Sequence, residues 1–339
     1  MQQRAGFRIG CALLTRVRPF KALPSLMKSL RRNRVSSLAA LIGMLLLVQA
    51  CTNSPLIISP LYNRLDDRMR DAFNDMADFN QQQSASFEAT LGTFHVWHRQ
   101  SELPQYAKFL DTVAQSIASS STDEQDIQQW FDEAEQRSVL IRQCHPINFS
   151  IQLMKSLSDV QVVSIENEFA RELQEDRDRY EKLTPEDRVK RRLRNITKWA
   201  NRIDMEITAT QRAMLLSTFK RQISLRKEYF ALSEQWNDEF VSLLRERDKP
   251  DFENNMQVHL DNLWQQLERA HPEQWQTNRN LWKQTGLRFV QSMTDEQRVT
   301  LSRWMSKMGS TLLTISEYDP SFKVVDDPSL GCQVKSEES

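Results

Sequence analysis

The chain of 339 residues balances 45 Lys and Arg against 45 Asp and Glu and contains only seven Gly and four Cys. Scarce Gly with abundant Glu, Gln, Arg, Leu and Ala favours helices over strands. Charge is uneven along the chain: the first 50 residues hold nine of the Lys and Arg and none of the Asp and Glu, so the 289 residues that follow carry a net charge of −9, which excludes nucleic-acid binding driven by phosphate neutralisation and disfavours a general attraction to anionic lipid head groups.

The amino-terminal 50 residues read as a signal peptide. A basic segment precedes the uncharged run Leu38 to Ala50, and such a run, ending in a small residue, is the layout of a secretory signal, shorter than the ~20 residues that span a bilayer. Translation from Met27 instead of Met1 would give ordinary proportions and the same cleavage site. Val48-Gln49-Ala50-Cys51 resembles the lipobox of bacterial lipoproteins, in which the cysteine sulfur takes a diacylglycerol and the new amino terminus is acylated. Val48 and Gln49 depart from the usual Leu and small residue, and Val48 with Ala50 also suits ordinary signal cleavage, so plain secretion stands as the alternative. Lipidation at Cys51 implies a membrane contact through acyl chains, and Thr52, where an Asp would resemble an inner-membrane retention signal, points to the outer membrane facing the periplasm. Of the remaining cysteines Cys11 leaves with the signal, so Cys144 and Cys332 are left to pair in an oxidising compartment or to stay as thiols.

After a short tether over 51–59, helical periodicity runs through 60–317, and 318–339, with Pro320, Pro328 and Gly331, reads as an irregular tail. The pattern predicts an all-α bundle of eight to nine helices without a sheet: 60–79, 84–119, 122–143, 159–182, 185–204, 209–247 with a possible break, 252–270, 273–291 and 295–317. Apolar stripes such as Val189, Leu193, Ile196, Ala200 and Ile203 carry this reading. Thr122-Asp-Glu-Gln125, Ser158-Asp-Val-Gln161, Thr208-Ala-Thr-Gln211 and Thr294-Asp-Glu-Gln297 have the spacing of capping boxes, and Thr184 precedes a Pro suited to the first helical position. Pro104 should kink or restart the second helix. Glu166 to Asn195 runs from acids to bases across Leu183-Thr184-Pro185, the pattern of a hairpin with oppositely charged faces; Lys190, Arg191, Arg192 and Arg194 could also form a docking patch for an acidic partner.

"FHVWHRQSELPQYAKFLDTVA", Phe94 to Ala114, resembles a helix of the form W-H-R-x-x-E-L-P-x-Y-A-x-x-L carried by a family of uncharacterised Gram-negative lipoproteins. Trp97, His98, Arg99, Glu102, Pro104 and Tyr106 match it, and the likeness continues through the capped helices at Ser158, Thr184 and Thr294. The resemblance implies an all-helical lipoprotein and supplies no catalytic residue and no cofactor.

His95, His98 and Glu102 share a helical face and could hold a divalent metal, but the His98, Arg99 and Glu102 pattern beside Trp97 and Pro104 reads better as a packed corner with a satisfied ion pair, and no metal site is assigned. No CxxC, phosphate-cradling Gly motif or nucleophilic triad is present. Most of the eight Trp fall on apolar stripes; Trp275 and Trp282, a heptad apart on a polar segment, are the candidates for exposed binding aromatics. Three functions compete: a non-enzymatic binding or chaperone-like module, favoured by apolar-Thr-x-x-Gln strings ending at Gln211 and Gln297 that look like a signature of small periplasmic chaperones; an assembly lipoprotein docking to one envelope protein; and, with no positive support, a metal-dependent enzyme.

Overall fold

The computed structural model describes Tyr62, residues 64–262 and residues 265–317. The signal, Cys51, the tether, Trp264, Cys332 and the tail lie outside the described residues. Among the described residues the chain is helical throughout, with eleven helices of ten residues or more in place of the eight or nine expected. In chain order they are α1 (Leu65–Asn74), α2 (Gln81–Trp97), α3 (Leu103–Ala118), α4 (Glu124–Gln143), the single turn α5 (Ile151–Lys155), α6 (Asp159–Glu181), α7 (Pro185–Arg202), α8 (Ala209–Arg221), α9 (Arg226–Arg245), α10 (Phe252–Asn262), the single turn α11 (Gln266–Ala270), α12 (Pro272–Gln291) and α13 (Asp295–Glu317). The excess comes from interruptions of the α-helical hydrogen-bond pattern inside runs whose periodicity looks continuous. One falls at 222–225 between α8 and α9, and a π-helical turn at His98–Glu102 separates α2 from α3.

The helices enclose three apolar clusters. In the first, Leu157, Val162 and Ile165 meet Trp236, Phe240 and Leu244 of α9 and Met256 and Leu260 of α10. In the second, Val113 and Ile117 of α3 meet Ile127 of α4, Ala200 and Ile203 of the α7 end, Leu215 and Phe219 of α8 and Leu301 of α13. The third gathers Tyr62, Leu103, Tyr106 and Leu110 against Met308, Leu312 and Ile315. The chain does not complete one cluster before starting the next: α6 belongs to the first, α7 and α8 to the second, and α9 and α10 return to the first.

The α3–α13 pair contributes to both the second and the third cluster and forms the seam between them. Arg99 reaches Ile315 O at 2.8 Å and Arg298 reaches Ile117 O at 3.3 Å, so the two helices run antiparallel. They approach closely because position 309 is Gly; a Cβ there would stand 3.1 Å from the Ala107 carbonyl oxygen.

The capping boxes at Ser158, Thr208 and Thr294 form as the spacing requires: each hydroxyl accepts from the Gln amide N–H three residues on, and each Gln oxygen accepts from the cap's own N–H. Thr184 caps α7 through the Asp187 N–H at 3.1 Å. At α4 the box is displaced by one residue, to Asp123 and Asp126, because Thr122 is buried and spends its hydroxyl on Ser116, 3.1 Å away. A fifth box, Asn80 with Gln83, starts α2.

The tertiary role of these boxes is not visible in their spacing. Gln211 and Gln297 face each other and exchange amide hydrogen bonds of 2.8 and 2.9 Å, while Gln211 also donates to Ser292 O and Gln297 to Glu206 O. Gln83 and Gln161 do the same at 3.1 and 2.8 Å, donating in addition to Ser156 O and Asp78 O. Each Gln donates to the carbonyl five residues before its partner, so two helix starts are locked by a reciprocal amide pair in each of the two larger clusters. All four side chains are buried, so losing one orphans several buried polar groups.

The hairpin expected over 166–195 does not form lengthwise. The principal partner of α6 is α9 and that of α7 is α8, and ion pairs cross between α6 and α9 in both directions: Glu166 and Asp176 of α6 meet Arg245 and Arg226 of α9, and Arg177 of α6 meets Glu234 of α9.

In urea unfolding, Thr208→Ala should cost about 1 kcal/mol, as for any lost cap, and Gln211→Ala about 2–4 kcal/mol, because the Gln297 amide and the Ser292 carbonyl lose their partner inside the core; equal costs would show the amide pair to be passive. Gly309→Val should lower stability by about 1–3 kcal/mol by forcing α3 and α13 apart.

Candidate functional site

The family-type motif lies on the π-helical turn. Pro104 cannot donate a backbone hydrogen bond and its ring crowds the carbonyl four residues earlier. The helix absorbs this without breaking, by widening at His98–Glu102, where the Leu103 N–H reaches back five residues to His98 O. The widened turn places His98, Arg99 and Glu102 together in the interior, all at 3% exposure or less, along with Trp97 and Tyr106.

Arg99 is the centre of the arrangement. One guanidinium nitrogen donates to Ile315 O at 2.8 Å, capping a carbonyl in the last turn of α13, and the other lies 2.9 Å from His95 Nε2. The guanidinium carbon stands 4.9 Å from the centre of the Tyr62 ring, a cation–π distance. The Tyr62 hydroxyl in turn meets His98 Nδ1 at 2.9 Å, and the His98 ring stacks on Phe94 with centroids 5.7 Å apart. Four elements therefore converge on one turn: the segment leading into α1 through Tyr62, the end of α2, the start of α3 and the end of α13.

The electrostatics follow from burial. His95 is held down to about 4, first by desolvation and then by the Arg99 charge. His98 falls to about 3, by desolvation and then by the neighbouring His95 and Arg99. Both rings are neutral at ordinary pH, so His95 Nε2 accepts from Arg99. Burial pushes the Glu102 carboxyl up, opposed by Arg137, whose guanidinium lies 3.5 Å away and is shared with Glu133 at 2.7 Å. Burial also raises the Tyr62 and Tyr106 phenols.

The ion pair expected of Glu102 is therefore made with Arg137 of α4, while Arg99, one turn away, serves the α13 carbonyl and the two aromatic partners. His95 and His98 spend their ring nitrogens on different neighbours, and among the described residues no three His, Cys, Asp or Glu side chains gather where they could hold a metal ion. His98 Nε2 has no hydrogen-bond partner among the described residues. His95, outside the resemblance, belongs to the cluster as fully as the motif residues. Tyr62 and Ile315 joined it with no sequence signal beyond their apolar character, since their contact with Arg99 spans 37 and 216 positions.

Other candidate residues fall elsewhere. Trp275 and Trp282 are half-buried, Trp282 meeting Phe219 edge to face at 5.6 Å, so neither is an exposed aromatic. Arg192 leaves the basic patch: it donates to the Gln222 side chain at 2.7 Å and is half-buried against Phe219 of α8. Cys144, 2% exposed at the end of α4, is disulfide-bonded, and the other three cysteines lie outside the described residues.

The fold and this clasp define an all-helical protein closed around a buried guanidinium. Residues 75–269, more than half of the chain, match a family of unknown function, DUF6279, and the chain belongs to that family. No curated protein and no solved structure matches it.

Acid should loosen the clasp. Between about pH 6.5 and pH 4 the unfolded chain protonates two imidazoles that the folded chain keeps neutral, so their contribution is complete above the unfolded value and lost as pH falls; the raised Glu102 acts in the opposite sense and offsets part of it. Stability from urea titrations should fall by about 2–4 kcal/mol between roughly pH 7.5 and 5 on account of the two rings. His95→Gln, which keeps an acceptor for Arg99 but does not titrate, should lose about 2 kcal/mol less over that interval; an unchanged pH slope would show that His95 is not the responding group.

Proposed function

We propose that this chain is a non-enzymatic binding module, lipid-anchored through Cys51 to the outer membrane and facing the periplasm, whose helical body docks on an envelope protein. The observation that carries the reading is the pairing of a lipobox-like sequence at Cys51 with a clasp that ties the chain down at Tyr62. The two residues are eleven positions apart in the chain, at most about 40 Å when fully extended. Tyr62 is 4% exposed, bonded to His98 and stacked against Arg99, so a pull on the tether is borne by the α3–α13 seam. No described helix is long and apolar enough to cross a membrane, and multiple acyl chains provide a stable anchor.

Docking on a defined partner is favoured over client chaperoning by the fate of the apolar-Thr-x-x-Gln strings. Gln211 and Gln297 are at 0% and 4% exposure, bonded to each other, and Ile207 and Met293 ahead of them are core residues. The strings thus have a structural explanation and supply no client surface.

Under the same reading Cys51 is acylated and Cys11 removed, which leaves Cys332 as the partner of Cys144. Peptide mapping without reductant should recover the Cys144–Cys332 pair, and Cys332→Ser should release a Cys144 thiol; a Cys144 pairing elsewhere would overturn that assignment. For the anchor, a palmitate analogue fed to cells should label the chain and move it with membranes, and Cys51→Ser should abolish both. Photocrosslinking in cells should give one dominant adduct, whereas a broad ladder would restore the chaperone reading.

A further inference from the structure

The basic residues of α7 are distributed in a way the net charge conceals. Lys190, Arg194, Lys198 and Arg202 are all exposed and stand four residues apart, a ridge winding along about 18 Å of helix. None forms an ion pair with a described carboxylate. Arg191 is half-buried beside them, and the nearest acids on α7, Glu186 and Asp187, lie in its first turn. The acid-rich helix α6 is the opposite case: Glu166, Glu168, Asp176 and Glu175 are each paired with an Arg. Like charges four residues apart repel, so this ridge is a place where the fold keeps exposed positive charge without a carboxylate partner, although residues 51–339 carry a net negative charge.

We infer that the α7 ridge is an electrostatic contact for anionic lipid head groups in the leaflet that carries the anchor. A convex row of Lys and Arg suits a flat surface whose head groups move laterally to meet each cation, whereas a protein partner would have to present carboxylates at matching spacing. Position agrees with this. Trp199 of α7 meets Trp304 of α13 edge to face at 5.5 Å, and Trp304 also packs on the cluster that contains Tyr62. From residue 304 to residue 315, where the clasp holds α13, is about 16 Å along the helix, so the carboxyl-terminal end of the ridge lies within reach of a surface tethered eleven residues before Tyr62. The inference rests on the anchored reading for its geometry, and it runs against the expectation from net charge that attraction to anionic head groups is disfavoured.

The test uses the full lipidated chain in vesicles of phosphatidylcholine, with and without about one-third phosphatidylglycerol, with lysine acetylation read by mass spectrometry. Lys190 and Lys198 should be labelled at least about threefold more slowly in the anionic vesicles, with the difference lost in roughly 1 M salt, while Lys155 on α5, remote in the first cluster, stays unchanged. R194Q/R202Q, which removes exposed charges only, should restore much of the labelling at Lys190 and Lys198. Equal labelling in both vesicles would overturn the contact, as would protection that arises only when an acidic envelope protein is added. Flotation with neutral vesicles reports the anchor separately: a chain that floats only with anionic vesicles supports the ridge and refutes the acyl anchor.

Discussion

A guanidinium removed from water must find donors' partners on every side, and in this protein that requirement organises the fold. Arg99 bonds the Ile315 carbonyl and the His95 ring nitrogen through its two terminal nitrogens and faces the Tyr62 ring. Each partner comes from a different part of the chain, so the desolvation cost of one side chain is met only when the entry segment, α2 and α13 are all in place. The clasp also sets the register of the longest seam. With Arg99 fixed at Ile315, the antiparallel run brings Ala107 opposite Gly309 and Ile117 opposite Arg298, and the small residue at 309 then allows the close approach that buries Leu110, Met308 and Leu312.

A second constraint repeats at the other end of the molecule's scale. Helix starts leave backbone N–H groups without intrahelical partners, and capping boxes satisfy two of them locally. Here the Gln of each box has an amide group left over after capping, and burial obliges it to pair. Gln83 with Gln161 and Gln211 with Gln297 answer this identically, down to the carbonyl five residues before the partner. The two larger clusters are thus built round the same device, with Leu157 and Ile207 as equivalent apolar residues before the cap. The interleaved topology follows: each cluster needs helix starts far apart in sequence, 78 and 86 positions.

These constraints join the helices of the body through a few buried polar contacts. Tyr62 belongs to the clasp, bonded to His98 and facing the Arg99 guanidinium, so the chain ahead of α1 is held to the interior at that residue. Charge is unevenly distributed over this body. Ion pairs link α6 to α9, and the exposed cations Lys190, Arg194, Lys198 and Arg202 stand in a row on α7.

Read alone, the sequence determined the helical class, most helix starts, the one-sided apolar stripes and the importance of the turn from Trp97 to Tyr106, because caps, periodicity and a proline in a helix are local in their physics. It also carried the basic and uncharged segments of the first 50 residues, a matter of composition over a few dozen residues. Tertiary structure decided the rest. It chose a π-helical turn where a break was equally compatible with Pro104, paired Glu102 with Arg137 and gave Arg99 to Ile315, turned four capping glutamines into two core locks, and drew Arg192 inward while leaving Lys198 and Arg202 outside. Each of these depends on which distant group lies within hydrogen-bond distance of a buried polar atom, and no local pattern encodes a contact across 216 positions.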